Sequence, residues 1–170
     1  MAAQKFIALV LGKWKEVSSI LSSSGSADAD KIPALDSGGK LDISFMPSGL
    51  GNTKSITTSE ALSAGNFVNI HISSGVKVRK ADHTSSAKQA HGFVINSFSS
   101  GASALVYPLG SINTGLTGLT AGTEYWLGST GGVVVAGSLP TVAGNLIQYL
   151  GVALSSSELA TNSSEPTELA

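Results

Sequence analysis

The chain has 170 residues, no cysteine, 12% charged residues and a formal net charge of −1. That length accommodates one domain plus an arm, or two small lobes. The composition excludes disulfide scaffolding, thiolate catalysis and cysteine-based zinc sites, and the balanced charge offers no basic field for nucleic acid or an anionic membrane.

Residues 1–54 read as an N-terminal arm. Lys5–Val10 and Lys13–Ile20 flank Leu11-Gly12 and suggest two strands around a two-residue turn. A helix is the competing reading, because Phe6, Leu9 and Val10 fall near a 3.6 period. Gly12 and the β-branched Ile7, Val10 and Val17 favour the hairpin. The six-residue apolar run Phe6–Leu11 is too short for a secretory leader, and Trp14, Lys15 and Glu16 follow it without a small-residue cleavage site. No run reaches the roughly 18 apolar residues a membrane span requires.

Ser22–Ser26 is a flexible linker by composition. Asp36-Ser37-Gly38-Gly39, set between Lys31–Leu35 and Lys40–Pro47, is the signal of a second small hairpin. Ser48–Asn52 reads as a hinge. Phe6, Leu9, Trp14, Ile43, Phe45 and Met46 stand out in this arm, because thin hairpins give large apolar side chains no core of their own. Either they fold back onto the body or they form a partner interface.

Residues 55–156 read as the body. Four phrases, Leu62–Gly65, Phe98–Gly101, Leu119–Gly122 and Thr141–Gly144, each place a glycine just ahead of an apolar run. Each is a glycine turn launching a strand. Strands are expected at 54–58, 66–73, 76–81, 92–97, 103–108, 123–128, 132–136 and 145–154. The fold class is therefore all-β, a β-sandwich or barrel of about eight short strands preceded by an extended N-terminal arm with small hairpins. Residues 157–170, polar and containing Pro166, read as an extended C-terminal tail.

Chemistry is sparse. His71 falls in an alternating strand and reads as a solvent-side residue. His83 and His91 flank a polar loop with Asp82 but lack the three or four spaced ligands a zinc site needs. No serine lies in a G-x-S-x-G elbow, and the glycine-rich stretches lack the phosphate-loop pattern. Asp28, Asp30, Asp36 and Asp42 do not fit a calcium loop and read as turn formers and caps. No cofactor, metal or catalytic residue is expected.

Residues 31–47 resemble the phrase K-I-x-A-L-D-x-x-G-K-L-D-x-S-x-x-P, common in tailed-bacteriophage virion proteins including tail and head fibres. Residues 60–70, 78–82, 92–94 and 118–127 resemble small phage capsid-decoration or fibre-like proteins. The similarity runs from about residue 5 to 154 and brings no catalytic residues with it. It implies a virion structural protein that is not an enzyme, made in the host cytoplasm and placed on the capsid surface. The first expectation is a capsid decoration or cement protein bridging neighbouring major capsid subunits and associating with copies of itself as a homotrimer. The alternatives are a tail-fibre or head-fibre segment, or a carbohydrate-binding module that takes a host-surface glycan.

Overall fold

The computed structural model describes residues 5–46 and 53–170, so Ser48–Asn52, expected to be a hinge, lie outside the described residues. The chain is all-β: its described residues hold 14 strands and no helix longer than a single 3₁₀ turn. It divides into two units, residues 1–52 and 53–170.

In the first unit, β1 (Lys5–Val10) and β2 (Lys13–Ser18) pair antiparallel around Leu11-Gly12, with Leu9 opposite Trp14 and Ile7 opposite Glu16. Leu11 and Gly12 both have positive φ, 51° and 74°. That is the signature of a type I′ turn, whose twist matches that of the strands it joins. The hairpin reading therefore holds over the helix.

Among the described residues the expected second hairpin does not form. Asp36 makes the turn, with its Oδ1 accepting from the backbone N–H groups of Gly38 and Lys40, but no ladder extends from it. Residues around Pro33 instead meet Ile20 in a single parallel bridge, with Ile20 N–H donating to Ile32 and Ala34 N–H donating to Ile20. Pro33 has no N–H with which to continue a ladder. Ile43–Phe45 is a 3₁₀ turn.

The second unit begins with β3 (Lys54–Thr58), β4 (Phe67–Ile72), β5 (Val76–Lys80), β6 (Gly92–Phe93) and β7 (Ser103–Pro108). Their ladders run β3-β5-β4-β6-β7 and close, because β3 pairs parallel with β5 and antiparallel with β7. Then come β8 (Ile112–Asn113), β9 (Glu124–Leu127), β10 (Val133–Val134), β11 (Leu146–Ile147), β12 (Tyr149–Ala153), β13 (Leu159–Thr161) and β14 (Thr167–Glu168). Five of them form a second sheet in the order β10-β9-β12-β13-β8, and β11 pairs with β14.

Residues 157–170 are thus not an extended tail. Leu159 is fully buried and β13 lies inside the second sheet, between β12 and β8. The polar residues around it hid a strand whose stability comes from its two neighbours.

All four glycine turns take one form. Ser63, Ser99, Thr120 and Val142 each accept a backbone bond from the residue three positions on, at 3.1–3.2 Å. Gly65, Gly101, Gly122 and Gly144 sit third in these turns with φ between 77° and 82°, while the preceding residue keeps negative φ. These are type II turns, which require a residue tolerant of positive φ at the third position. Gly65 carries a further constraint: a Cβ there would lie 2.5 Å from the Gly115 carbonyl oxygen. Buried Asn113 holds that approach, donating to Gly65 O and accepting from Gly115 N–H, each at 3.0 Å.

Two apolar clusters fill the body. Ile56, Val68, Val78, Ala104 and Val106 gather with Leu62 and Val94 on one face of the closed set. Phe67 and Phe93 join Tyr125, Leu127, Leu150 and Leu159, linking that set to the second sheet. Tyr107 stacks on Phe93 at 5.5 Å.

Candidate interaction surface

A strand alternates its side chains, so the hairpin β1–β2 has two faces. Lys5, Ile7, Leu9, Trp14, Glu16 and Ser18 share one of them, by the register of the ladder. Phe6, Ala8, Val10, Lys13, Lys15 and Val17 share the other. The first is open: Ile7 is 72% exposed, Leu9 61% and Trp14 75%. On the second, Phe6, Ala8, Val10 and Val17 are half-buried.

Leu9 and Trp14, expected at a partner interface, do come together, directly opposite each other. Phe6, expected with them, does not: an odd separation from Leu9 in a strand places it on the other side. Phe45 is half-buried and Met46 exposed in the 3₁₀ segment, while the Ile43 side chain lies outside the described residues. Ile7 and Leu11 belong to the exposed set and were missed by sequence reasoning. Period-two alternation counted out from Leu9 would have found Ile7.

Leu11 carries two costs at once. It is 93% exposed, and it sits in the left-handed region that non-glycine residues avoid by roughly 1–2 kcal/mol. The type I′ turn imposes that positive φ on its first central residue, here a leucine rather than the asparagine or glycine such turns favour. The described part of the first unit buries only Ala34 among its apolar residues. Lys5 pairs with Glu16 at 2.5 Å at the end of the hairpin away from the turn. No backbone bond from elsewhere among the described residues reaches either edge of the hairpin.

The body presents smaller apolar features. Trp126 and Tyr149 are directly paired across β9 and β12 and meet edge-on at 5.6 Å, both partly exposed. Ile72 and Val76 are exposed beside the tight turn that joins β4 to β5.

The polar groups are occupied in structure. His71 is not on the solvent side: it is half-buried, and its Nε2 lies 2.9 Å from Ser59 Oγ. Its face of β4 carries buried Phe67 and Asn69, and the exposed side chains are Ile70 and Ile72, where the strand runs out past the closed set. Burial, then the nearby Arg79, lowers the His71 pKa. His91 Nδ1 accepts from the Ile70 N–H at 3.0 Å, extending the β4–β6 ladder through a side chain, and burial lowers its pKa as well. The ring is therefore held neutral, with Nδ1 free of a proton. Beside it lies a cavity of ≈ 270 Å³ lined by His91, Gln148, Ser164 and Glu165 among others. Gln148 is buried and binds both backbone groups of Ala90, at 2.8 and 2.9 Å.

Asp28, Asp36 and Asp42 accept bonds from nearby backbone N–H groups, as turn formers do. The Lys31 side chain, then the Ser24 N–H, hold the Asp28 carboxyl below its usual range, and Ser44 does the same for Asp42. Burial pushes Asp82 up, but bonds from Thr84 and Thr130 outweigh it and the net shift is downward. Among the described residues, no three His, Asp or Glu side chains gather as metal ligands. The most developed surface is therefore apolar: the open face and turn of the first hairpin. No protein-family model and no curated protein matches this chain.

Proposed function

We propose that this chain is a bacteriophage virion structural protein: a capsid decoration, or cement, protein on the outer surface of the head, bridging neighbouring major capsid subunits as a homotrimer. Its role is mechanical rather than catalytic. The observation that carries this reading is the open apolar face Ile7, Leu9 and Trp14 with exposed, positive-φ Leu11, on a unit whose described residues bury only Ala34 among the apolar ones. A contiguous apolar patch of this kind marks a surface that another molecule covers. The phage-like phrase at residues 31–47 supplies the class of assembly. A cement protein works by repetition: about 1,000 Å² of contact per copy, multiplied over a shell, resists internal pressure collectively.

The test uses full-length protein and heads that lack it. The expected result is saturable binding at a fixed copy number and a higher temperature of head opening. No binding at micromolar concentration would overturn the reading. The Trp126–Tyr149 pair favours one second reading, a carbohydrate-binding module, because a partly exposed aromatic pair offers a face on which a sugar ring can stack. A glycan array with wild-type chain and Trp126→Ala decides it.

A further inference from the structure

Among the described residues, nothing covers the Ile7, Leu9 and Trp14 face of the hairpin and no further strand pairs with either of its edges. The hairpin's own geometry indicates a single way to cover the face and pair the edges. In a two-residue type I′ hairpin the residues flanking the turn, Val10 and Lys13, form a hydrogen-bonded pair. Alternation then commits the backbone groups of residues 6, 8 and 10 to β2 and turns those of Lys5, Ile7 and Leu9 outward. On β2 the outward groups belong to Trp14, Glu16 and Ser18. These two outward sets match: set antiparallel, Leu9 meets Trp14, Ile7 meets Glu16 and Lys5 meets Ser18, repeating the register inside the hairpin.

We propose that the occupant of this surface is the same hairpin of two further copies of this chain. Each β1 pairs with the β2 of the next copy, and the Ile7, Leu9 and Trp14 faces turn inward. The inference rests on the reading of the chain as a self-associating subunit and adds which surface holds it together. Heterologous pairing of this kind must close or it grows without limit. Strand spacing selects the number. At about 4.8 Å between strands, two copies close a ring only about 7 Å across, too narrow for Trp14 and Leu9. Three copies give about 10 Å, the distance at which sheets pack face to face. Charge agrees with this arrangement. Each Glu16 lies between its own Lys5 and the Lys5 of its neighbour, so the open end alternates in sign and sums to zero. Lys13 and Lys15 fall on the outer face, where their charges stay in water. The exposed Leu11 side chains cluster at the other end, giving the left-handed leucine a partner.

The experiment uses full-length Trp126→Phe, which leaves Trp14 as the sole tryptophan. Sedimentation gives the mass and Trp14 emission gives its burial. The expected result is a species of three times 17.1 kDa with blue-shifted Trp14 emission. Leu9→Glu should weaken association by at least about a hundredfold, because it buries a carboxylate without a partner. Lys13→Ala, on the outer face, should leave it unchanged. An unaltered far-UV spectrum and melting transition of the body checks that each variant is folded. A trimer that survives Leu9→Glu with Trp14 in water overturns the inference and leaves the decoration reading intact. A dimer, a tetramer or a persistent monomer also overturns it, and head binding then judges the decoration reading separately.

Discussion

The body and the first hairpin are written in the same residues, Val, Ile, Leu and aromatics between glycine turns, yet one hides them and the other displays them. In the body, Phe67, Phe93, Leu127 and Leu150 are fully buried because two sets of strands face each other across them. In the hairpin, Ile7, Leu9 and Trp14 lie on a sheet of two strands, and among the described residues no second layer covers that face. Burial is thus a property of layering rather than of residue type. A β segment with one layer is an element awaiting its complement.

Substitutions can break that contrast. The largest effect is expected at Gly65. Valine there would take a positive φ and drive its Cβ to 2.5 Å from the Gly115 carbonyl oxygen. A loss of more than about 4 kcal/mol is expected in denaturant titration, a large part of a typical domain's stability. Gly101→Val, with the same φ but nothing near its Cβ, should cost only about 1–2 kcal/mol. Equal losses would show that the close approach to Gly115 is unimportant.

Next comes Phe93→Ala, which should cost about 3–5 kcal/mol by emptying space among Phe67, Tyr107 and Leu150. Leu9→Ala should leave the melting of an isolated chain within about 0.5 kcal/mol. If the two move the transition alike, the hairpin face is covered within the chain. Gln148→Leu removes both partners of buried Ala90 and should cost about 2–3 kcal/mol.

The smallest effect is on pH. The His71 and His91 pKa values are lowered in the fold. Below an ordinary histidine value of about 6.5, the unfolded chain therefore binds protons that the folded chain does not. Stability should be complete above that value and decline as pH falls from about 6.5 toward the folded values. His91→Gln, which keeps an acceptor near the Ile70 N–H, should flatten part of the decline. A melting temperature unchanged between pH 7.5 and 5 would contradict this.

What was legible in the sequence was local chemistry. The four turns were readable because a type II turn requires glycine at its third position, and Leu11-Gly12 because the strands around it are β-branched. Long-range pairing was not readable. β8 and β14 are two residues long, and β13 is Leu-Ala-Thr among serines, with no period of its own. The second arm hairpin failed because turn chemistry at Asp36 says nothing about whether flanking strands find each other. At the hairpin, size and lack of a core single out Leu9 and Trp14, which the structure places opposite each other and exposed. Which side chains share their face, Ile7 and not Phe6, follows only from the ladder's register.

The position of β13 has a consequence in time. It lies between β12 and β8, so both of those strands have bare edges until residues 159–161 are made and docked. The closed set is similarly incomplete until β7 reaches β3, across about fifty residues of chain. Pairings this distant form slowly, and unfinished molecules carry exposed, adhesive strand edges meanwhile. High local concentration during synthesis should therefore favour tangled chains, and slow expression in the cold should favour the folded form.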